Sequence, residues 1–257
     1  MTRFAGHTAI VTGAGAGIGR AAATAFASEG ANVVAVDIDG SSARDAVAGF
    51  ARSGDHLVIE ADVSDPADID RTLATTQEKY GRIDVVVNNA GILRLAGAWE
   101  TPLDLFDLVL QTNLRSTFYL STSVVRMMIE SGTTGRIVNV SSIHAVRSEP
   151  NAIAYTTAKA GIEGMSRTLA TEVAPHGITV NCVRPGATRT KLTEPIYTTE
   201  VLAALDQRIP LKRIAEAHEI AAGILFLASD AAAYITGTTL DIDGGYLMDG
   251  SLPQVRY

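Results

Sequence analysis

The stretch Thr8-Ala9-Ile10-Val11-Thr12-Gly13-Ala14-Gly15-Ala16-Gly17-Ile18-Gly19-Arg20 decides the fold of this chain. Its first five residues are apolar or β-branched, which is typical of a strand that is covered on both faces. The glycines that follow predict a turn, and a pattern of helical period begins after them. Glycines at such a turn let backbone N–H groups approach a pyrophosphate at the positive end of the helix. The stretch therefore predicts the first βα unit of a dinucleotide-binding sheet.

The spacing of these glycines selects one form of the turn. It fits GxxxGxG through Gly13, Gly17 and Gly19. The GxGxxG spacing fails in either register, because Ile18 or Arg20 stands where its last glycine would be. The alternative is a flexible turn without a ligand, and the flanking strand and helix argue against it.

Asp37 follows the next apolar run and predicts the choice of cofactor. It lies at about the distance from the glycines where an acidic residue meets the adenosine ribose. A carboxylate at this point accepts hydrogen bonds from the 2′-hydroxyl and repels a 2′-phosphate. Arg20 and Arg44 lie further along the chain and would have to fold back to hold such a phosphate. We therefore predict NAD(H) rather than NADP(H).

Strand-like and helix-like segments alternate along the chain. The predicted strands are Thr8–Thr12, Ala31–Val36, Leu57–Glu60, Ile83–Val87, Arg136–Val140 and Ile178–Val183. The predicted helices are Ile18–Ser28, Ser41–Arg52, Pro66–Tyr80, Leu103–Glu130, Ile153–Ala174 and Ala217–Leu227. This alternation implies βαβ units with right-handed crossovers. The predicted fold class is α/β, a single-domain Rossmann fold over residues 1–257 with a doubly wound parallel sheet flanked by helices on both faces. The polar segment 189–213 predicts a long loop or a short helical lid near a substrate.

Composition excludes several classes of protein. The 257 residues are 47% hydrophobic, which allows a large core, and the formal net charge of −7 argues against a nucleic-acid partner and an anionic membrane surface. No apolar run is long enough to span a bilayer, and the first residues lack the apolar core of a signal peptide. The five histidines show no metal-binding spacing, so we expect no metal. The single Cys182 reads as a strand core residue and fits a reducing cytoplasm. We expect a cytoplasmic protein with a small-molecule substrate.

Tyr155 and Lys159 form the most informative pair of side chains. Residues four apart lie on the same face of a helix, so a phenol and an ammonium can cooperate. A cation roughly 4 Å from the phenol favours the phenolate by about 4 kcal/mol at an effective dielectric near 20. If desolvation does not cancel this effect, it would bring the tyrosine pKa from about 10 towards ~7, where a proton-transfer group serves reversible alcohol oxidation. A YxxxK pair alone is commonplace, and its meaning depends on the motifs around it.

Taken together in their order, these motifs resemble the classical short-chain dehydrogenase/reductase family over nearly the whole chain. Residues 12–19 are similar to its TGxxxGIG motif, residues 88–91 to its NNAG motif, and residues 138–142 to its strand with a catalytic serine. Pro185-Gly186 and the threonines beyond resemble its nicotinamide-side loop, and residues 235–245 its C-terminal strand.

The resemblance implies a nicotinamide-dependent oxidoreductase with Tyr155 as the general acid/base, Ser142 holding the substrate oxygen, and Lys159 lowering the tyrosine pKa and binding the nicotinamide ribose. Ser141 remains a minor alternative to Ser142. Asn113 would hold a water of the proton relay. The implied cofactor-binding residues are Gly13, Gly17, Ile18, Gly19, Asp37, Asp62, Val63, Asn89, Ala90, Gly91, Tyr155, Lys159, Pro185, Gly186, Thr188 and Thr190.

The substrate and the partners are less defined. We expect interconversion of a secondary alcohol and a ketone; the alternatives are a 3-oxoacyl thioester reductase, which the family would pair with NADPH, and a non-catalytic NAD-sensing protein. Leu93, Leu95, Trp99, Val146 and Ile196 could form an apolar pocket wall or be ordinary packing residues. His144 could contact the substrate, although a loop histidine that faces solvent is the favoured interpretation. Arg94, Arg147 and Arg189 would suit an anionic substrate, although solvated surface arginines are the favoured interpretation. The long helices 103–130 and 153–174 carry small and apolar residues, and such helices form interfaces in this family, so we expect a homotetramer.

Overall fold

One parallel sheet organises the computed structural model, which describes residues 2–50 and 55–249. The strands of this sheet are β1 (Thr8–Thr12), β2 (Asn32–Asp37), β3 (Leu57–Glu60), β4 (Val85–Asn88), β5 (Arg136–Val140), β6 (Thr179–Pro185) and β9 (Thr239–Ile242). A two-stranded ladder pairs β7 (Thr188–Arg189) with β8 (Ala215–Glu216). The seven strands run in the order β3-β2-β1-β4-β5-β6-β9. This arrangement confirms the predicted α/β Rossmann-type fold.

Helices connect these strands. They are α1 (Gly17–Ser28), α2 (Gly40–Ala48), α3 (Pro66–Tyr80), α4 (Leu103–Leu110), α5 (Ser116–Ser131), α6 (Ile153–Val173), α7 (Thr199–Arg208) and α8 (Ala217–Ala228). Most bounds lie within two residues of the predicted ones; Arg52, the predicted end of the second helix, lies outside the described residues. The predicted helix 103–130 is interrupted by a π-helical turn at Gln111–Arg115. In the described part of the chain, no helix combines the length and apolarity that a membrane crossing requires.

Alternate residues of each central strand pack on opposite faces of the sheet. Ala9 and Val11 of β1 belong to the core that contains α1 and α8, whereas Ile10 belongs to the core that contains α3 and α5. This alternation explains the continuous apolar runs in the sequence, since both faces of each strand are covered.

The strand order reverses direction at β1, which pairs in parallel register with β2 on one side and with β4 on the other. The chain passes from β1 outwards to β2 and β3, and then returns to place β4 on the other side of β1. In open α/β sheets such a switch point leaves a crevice at the carboxyl ends of the strands. The fold therefore brings the ends of β1, β4, β5 and β6 to one edge.

Candidate active site

The glycine turn between β1 and α1 packs closely against neighbouring segments of the same chain. Gly13 and Gly17 have φ of +66° and +53°, in the left-handed region that side chains disfavour. A Cβ built on Gly19 would collide with the main-chain oxygen of Gly13 and the side-chain amide of Asn89. A Cβ on Gly17 would lie 3.2 Å from the Cβ of Thr190. The turn thus leaves a backbone cradle that only glycines allow, and this fits a pyrophosphate.

Asp37 lies at the end of β2 and is bound to that turn. Its Oδ2 accepts a hydrogen bond from Gly15 N at 2.8 Å, and its Oδ1 accepts one from Asp39 N at 3.0 Å. Arg44 pairs with Glu60 at 3.9 Å. The carboxylate is therefore held beside the glycine turn, and one of the two cations considered above is engaged elsewhere.

The predicted adenine-side residues follow β3. Asp62 Oδ1 accepts hydrogen bonds from the backbone and the hydroxyl of Ser64 at 2.9 and 2.7 Å. Val63 packs against the core that contains α3. Ala61 N donates to Asp37 O at 2.9 Å, so this loop runs directly alongside the end of β2.

Asn89 and Ala90 are joined to β1 by a residue that the sequence analysis left out of the site. The Thr12 hydroxyl accepts hydrogen bonds from Asn89 N and Ala90 N, both at 3.0 Å, and itself donates to Val87 O. Asn89 Nδ2 donates to Thr12 O at 2.9 Å. Thr12 is the first residue of the TGxxxGIG-like motif, and that motif could have indicated that Thr12 belongs to the site. The contact fixes the edge of the crevice between β1 and β4.

Asn113 lies fully buried in the π-helical turn and does not reach the cavity. Its Oδ1 accepts from Ile92 N at 2.8 Å and its Nδ2 donates to Ile92 O at 2.9 Å. The amide therefore clamps the loop that follows Gly91. Both polar atoms of the side chain are thus engaged by Ile92. π-turns occur frequently at functional sites, and here the turn presents the buried amide to that loop.

Ser142, Tyr155 and Lys159 come from two elements and meet at one cavity of about 400 Å³. Ser142 follows β5, and the other two lie one turn apart near the start of α6. Lys159 is 5% exposed, and its Nζ donates to Val140 O at 2.7 Å while lying 5.5 Å from the centre of the Tyr155 ring. The two side chains therefore share a helix face, as predicted, but the ammonium is anchored on β5.

The electrostatics of the pair differ from the expectation. Burial raises the pKa of the Tyr155 phenol, although the neighbouring Ser142 hydroxyl acts to lower it. Burial also lowers the pKa of Lys159 to about 8. Desolvation is therefore the largest effect on the phenol pKa here, and this is the condition under which the cation was not expected to bring that pKa near 7.

Several further predicted residues line the same cavity. They are Ile18, Asn89, Gly91, Pro185, Gly186, Thr188 and Thr190. The predicted apolar wall is present in part, since Leu93, Leu95 and Ile196 line the cavity, whereas Trp99 and Val146 are 88% and 60% exposed. The sequence analysis missed other lining residues, which come mainly from the lid segment and the C-terminal segment. These are Ile143, Glu149, Leu192, Thr193, Tyr197, Val201, Leu205, Arg208 and Tyr246.

None of the three arginines considered for an anionic substrate lines this cavity. Arg94 donates to Leu93 O at 2.9 Å, and the guanidinium of Arg147 lies 5.6 Å from the centre of the Tyr246 ring. Arg189 pairs with Glu216 at 3.2 Å and lines a separate, more open cavity of about 700 Å³ behind α7. Positive charge at the mouth therefore comes from a different residue, Arg208.

Ser141 is engaged beneath the site rather than in it. Its hydroxyl donates to Glu163 Oε1 at 2.6 Å, and the same carboxylate receives two hydrogen bonds from Arg184. Ser141 and Ser142 both border the cavity, but the Ser141 hydroxyl is directed away from it to Glu163. The Cys182 thiol is buried, and burial raises its pKa to about 11. No group of three or more metal-binding side chains occurs in residues 2–50 and 55–249.

Comparison with known proteins places this geometry in a family. A family model described as enoyl-(acyl carrier protein) reductase matches residues 13–247. The chain is 39% identical to 3-oxoacyl-[acyl-carrier-protein] reductase of Synechocystis sp., over 96% of this chain and 100% of that protein. It is 41% identical to D-threitol dehydrogenase of Mycolicibacterium smegmatis, over 95% and 94%.

A solved structure agrees with these relatives. A candidate 2-deoxy-d-gluconate 3-dehydrogenase from Agrobacterium tumefaciens with bound NADP superimposes with a TM-score of 0.86 at 31% identity, covering 95% of this chain and 98% of that chain. Members of the family bind a nicotinamide cofactor and act as oxidoreductases. The sheet, the motifs and these similarities together show that the chain belongs to the classical short-chain dehydrogenase/reductase family.

Proposed function

We propose that this protein interconverts a secondary alcohol and a ketone by hydride transfer with NAD(H). The observation that carries the proposal is the meeting of Ser142, Tyr155 and Lys159 in one cavity with Ile18 of the glycine turn. When bound, the nicotinamide supplies the hydride acceptor or donor. The chain's own side chains then have two tasks, which are to orient the substrate oxygen and to move its proton.

Ser142 and Tyr155 are suited to the substrate oxygen. Ser142 Oγ already accepts a hydrogen bond from His144 N at 3.2 Å, so its proton is directed to another acceptor. In ketone reduction, Ser142 and Tyr155 would both donate to an oxygen that gains negative charge, and Tyr155 would then give up its proton. In alcohol oxidation, the phenolate would take the proton from the same oxygen.

Lys159 would support the charged form of Tyr155 from the wall of the cavity. With a pKa of about 8, its ammonium is largely charged at neutral pH. Its Nζ is held by Val140 O, close to the tyrosine ring but without a hydrogen bond to the phenol. It would thus favour a phenolate electrostatically, which acts against the effect of burial on the phenol pKa. In this position it can also reach a nicotinamide ribose.

The preference for NAD(H) rests on Asp37. Its carboxylate lies beside the glycine turn, where it suits a ribose diol and would repel a 2′-phosphate. The solved relative with bound NADP is 31% identical and argues for the opposite preference. We give more weight to the charge that this chain itself carries, and a titration with both cofactors decides between them.

A 3-oxoacyl thioester reductase is the second candidate. The 39% identity to a 3-oxoacyl-[acyl-carrier-protein] reductase favours it, whereas the 41% identity to D-threitol dehydrogenase favours a small alcohol. The cavity of about 400 Å³ lies near the lower end of the usual range for ligand sites and must hold the nicotinamide end as well. This limited volume supports the smaller substrate.

The segment 189–213 would act as a lid over this site. Helix α7 has no buried residue, yet Val201, Ala204, Leu205 and Arg208 line the active-site cavity from it. Leu202 and Ala203 of the same helix line the open cavity behind it. A helix with space on both sides is suited to move when a substrate enters.

The quaternary structure that we propose is a homotetramer. Leu103 and Phe118 are 73% and 51% exposed on the helices that were predicted to form interfaces. A groove of about 460 Å³ runs between these helices and α6, beside Leu114 and Met165. A second copy of the chain would cover these apolar side chains, and light scattering measures the resulting mass.

The proposed reaction is tested by NADH formation across a panel of secondary alcohols, diols and sugar alcohols, with NAD and NADP. The Tyr155→Phe variant should lose about 10²- to 10⁴-fold in turnover while keeping its affinity for NADH. Tyr119→Phe is the matched control, because that exposed phenol binds Asp70 on the surface. Turnover of a 3-oxoacyl thioester but of no alcohol or simple ketone would establish the second candidate. NADH binding without any turnover would establish a sensor.

A further inference from the structure

His144 occupies a position in the cavity that the proposed reaction does not use. A short 3₁₀ turn, Ile143–Ala145, begins directly after Ser142 and carries this histidine. The imidazole lines the cavity and packs edge-on against Tyr155, with 6.4 Å between the ring centres. The ring therefore lies beside the place where a substrate oxygen would bind Ser142 and Tyr155.

The contact of its Nδ1 determines what this imidazole can offer. Nδ1 lies 3.3 Å from the main-chain oxygen of Arg147. A carbonyl oxygen only accepts, so Nδ1 must carry the proton. In the neutral ring Nε2 is then an acceptor. Among residues 2–50 and 55–249, Nε2 has no hydrogen-bond partner. A substrate group that meets it has to be a donor.

The rest of the cavity restricts the nature of that donor. Apolar side chains from the lid segment and the loop after β4 form much of its wall, including Leu93, Leu192 and Ile196. Its two exposed charged residues, Glu149 and Arg208, have opposite signs, so the mouth gives no clear preference for an anion. A neutral hydroxyl group is the donor that fits a cavity of this character.

We propose that His144 is a specificity-determining residue, whose Nε2 accepts a hydrogen bond from a hydroxyl on the carbon next to the reacting carbon. The preferred substrates are then vicinal diols or polyols and, in the reverse direction, α-hydroxy ketones. This inference rests on the proposed alcohol–ketone function. The reacting C–H gives its hydride to the oxidised cofactor and the O–H its proton to the Tyr155 phenolate, forming the C=O bond. The neighbouring hydroxyl keeps its proton.

Matched substrates and matched variants test the proposal. We would measure kcat and KM for butane-2,3-diol against butan-2-ol, and for cyclohexane-1,2-diol against cyclohexanol. The variants are His144→Leu, which removes the acceptor, and His144→Gln, which retains a side-chain oxygen. His176→Leu is the control, because this histidine is exposed at the far end of α6. The dissociation constant of NADH reports whether each variant keeps an intact cofactor site.

The wild type should prefer the diols by up to about tenfold in kcat/KM, the effect of one hydrogen bond to a substrate hydroxyl. His144→Leu should abolish that preference, mainly through KM for the diols, with little effect on the monools or on NADH affinity. His144→Gln should retain part of it, and the control all of it. A wild type without diol preference, or a preference that survives His144→Leu, overturns the inference and leaves the proposed function standing. If neither alcohol class shows turnover that depends on Tyr155, the inference and the proposed function are both wrong.

Discussion

The Lys159 ammonium donates a hydrogen bond to the main-chain oxygen of Val140 at 2.7 Å, and this contact joins α6 to the last residue of β5. Ser142 follows Val140 by two residues, and Tyr155 precedes Lys159 by one helical turn. The contact therefore aligns the two elements that carry the proposed proton-transfer groups. It also keeps a buried cation satisfied within a largely apolar surrounding.

The pH dependence of the reaction should follow the raised pKa of Tyr155. Because burial favours the neutral phenol, the proton donor for reduction is present at neutral pH, and the acceptor for oxidation forms only at alkaline pH. We expect kcat/KM for oxidation to rise from pH 7 to at least about pH 9, and that for reduction to fall at alkaline pH. Initial rates in both directions measure this. An oxidation rate that is already constant below pH 7 would contradict it.

The free energy of unfolding should depend on pH through the titration of Lys159. Its pKa is lowered to about 8 from an ordinary 10.5, so between these values the unfolded chain binds more protons than the folded one. The contribution of this group to the free energy of unfolding therefore rises with pH across that window. Relative to wild type, Lys159→Met should be most stable near pH 7 and lose roughly 3 kcal/mol of that advantage by pH 10.5. Urea unfolding at several pH values measures the difference, and a difference independent of pH would refute it.

Replacement of Asp37 should change the cofactor preference. Asp37→Asn removes the negative charge and keeps an oxygen that can accept from Gly15 N or Asp39 N. We expect the ratio of kcat/KM for NADP over NAD to rise about 10- to 100-fold, since a desolvated charge repulsion of a few kcal/mol is relieved. Asp39→Asn is the control, because Asp39 caps α2 through Ser41 N and Ser42 N. Equal ratios in wild type and Asp37→Asn would exclude Asp37 as the determinant.

The buried pair of Glu163 and Arg184 should be necessary for stability. Arg184 Nε and Nη2 donate to the two carboxylate oxygens at 2.9 and 2.7 Å, and Ser141 adds a third hydrogen bond. Glu163→Gln replaces the carboxylate with a neutral amide, while Asp241 still pairs with Arg184 Nη1, and should cost about 1.5–3 kcal/mol of unfolding free energy. Glu172→Gln, an exposed change on the same helix, should cost less than about 0.5 kcal/mol. Equal losses in the two variants would show that the pair contributes nothing.

Local patterns predicted most of the fold. The runs Thr8–Thr12, Leu57–Glu60 and Arg136–Val140 form strands with the predicted bounds, because their β-branched residues favour the extended backbone. The helix Pro66–Tyr80 also begins and ends where its capping signals indicate, at Asp65 and Gly81. These features depend on residues that are close in sequence.

The site was predictable as a set of residues but not as a set of contacts. Tyr155 and Lys159 share a face because helix geometry requires it, whatever the rest of the fold does. The direction of the Lys159 ammonium, the burial of Asn113 and the engagement of Ser141 depend on Val140, Ile92 and Glu163, which are remote from them in sequence.

Residue patterns along the chain indicate the alternation of strands and helices, the glycine turn, and the candidate residues for proton transfer. The raised pKa of Tyr155, the presence of Arg208 rather than Arg189 at the cavity, and the position of α7 beside it follow only from the packing of distant segments. The physical reason is that hydrophobic pattern and backbone propensity act over a few residues. Desolvation and side-chain partners instead depend on which distant segments the sheet brings together.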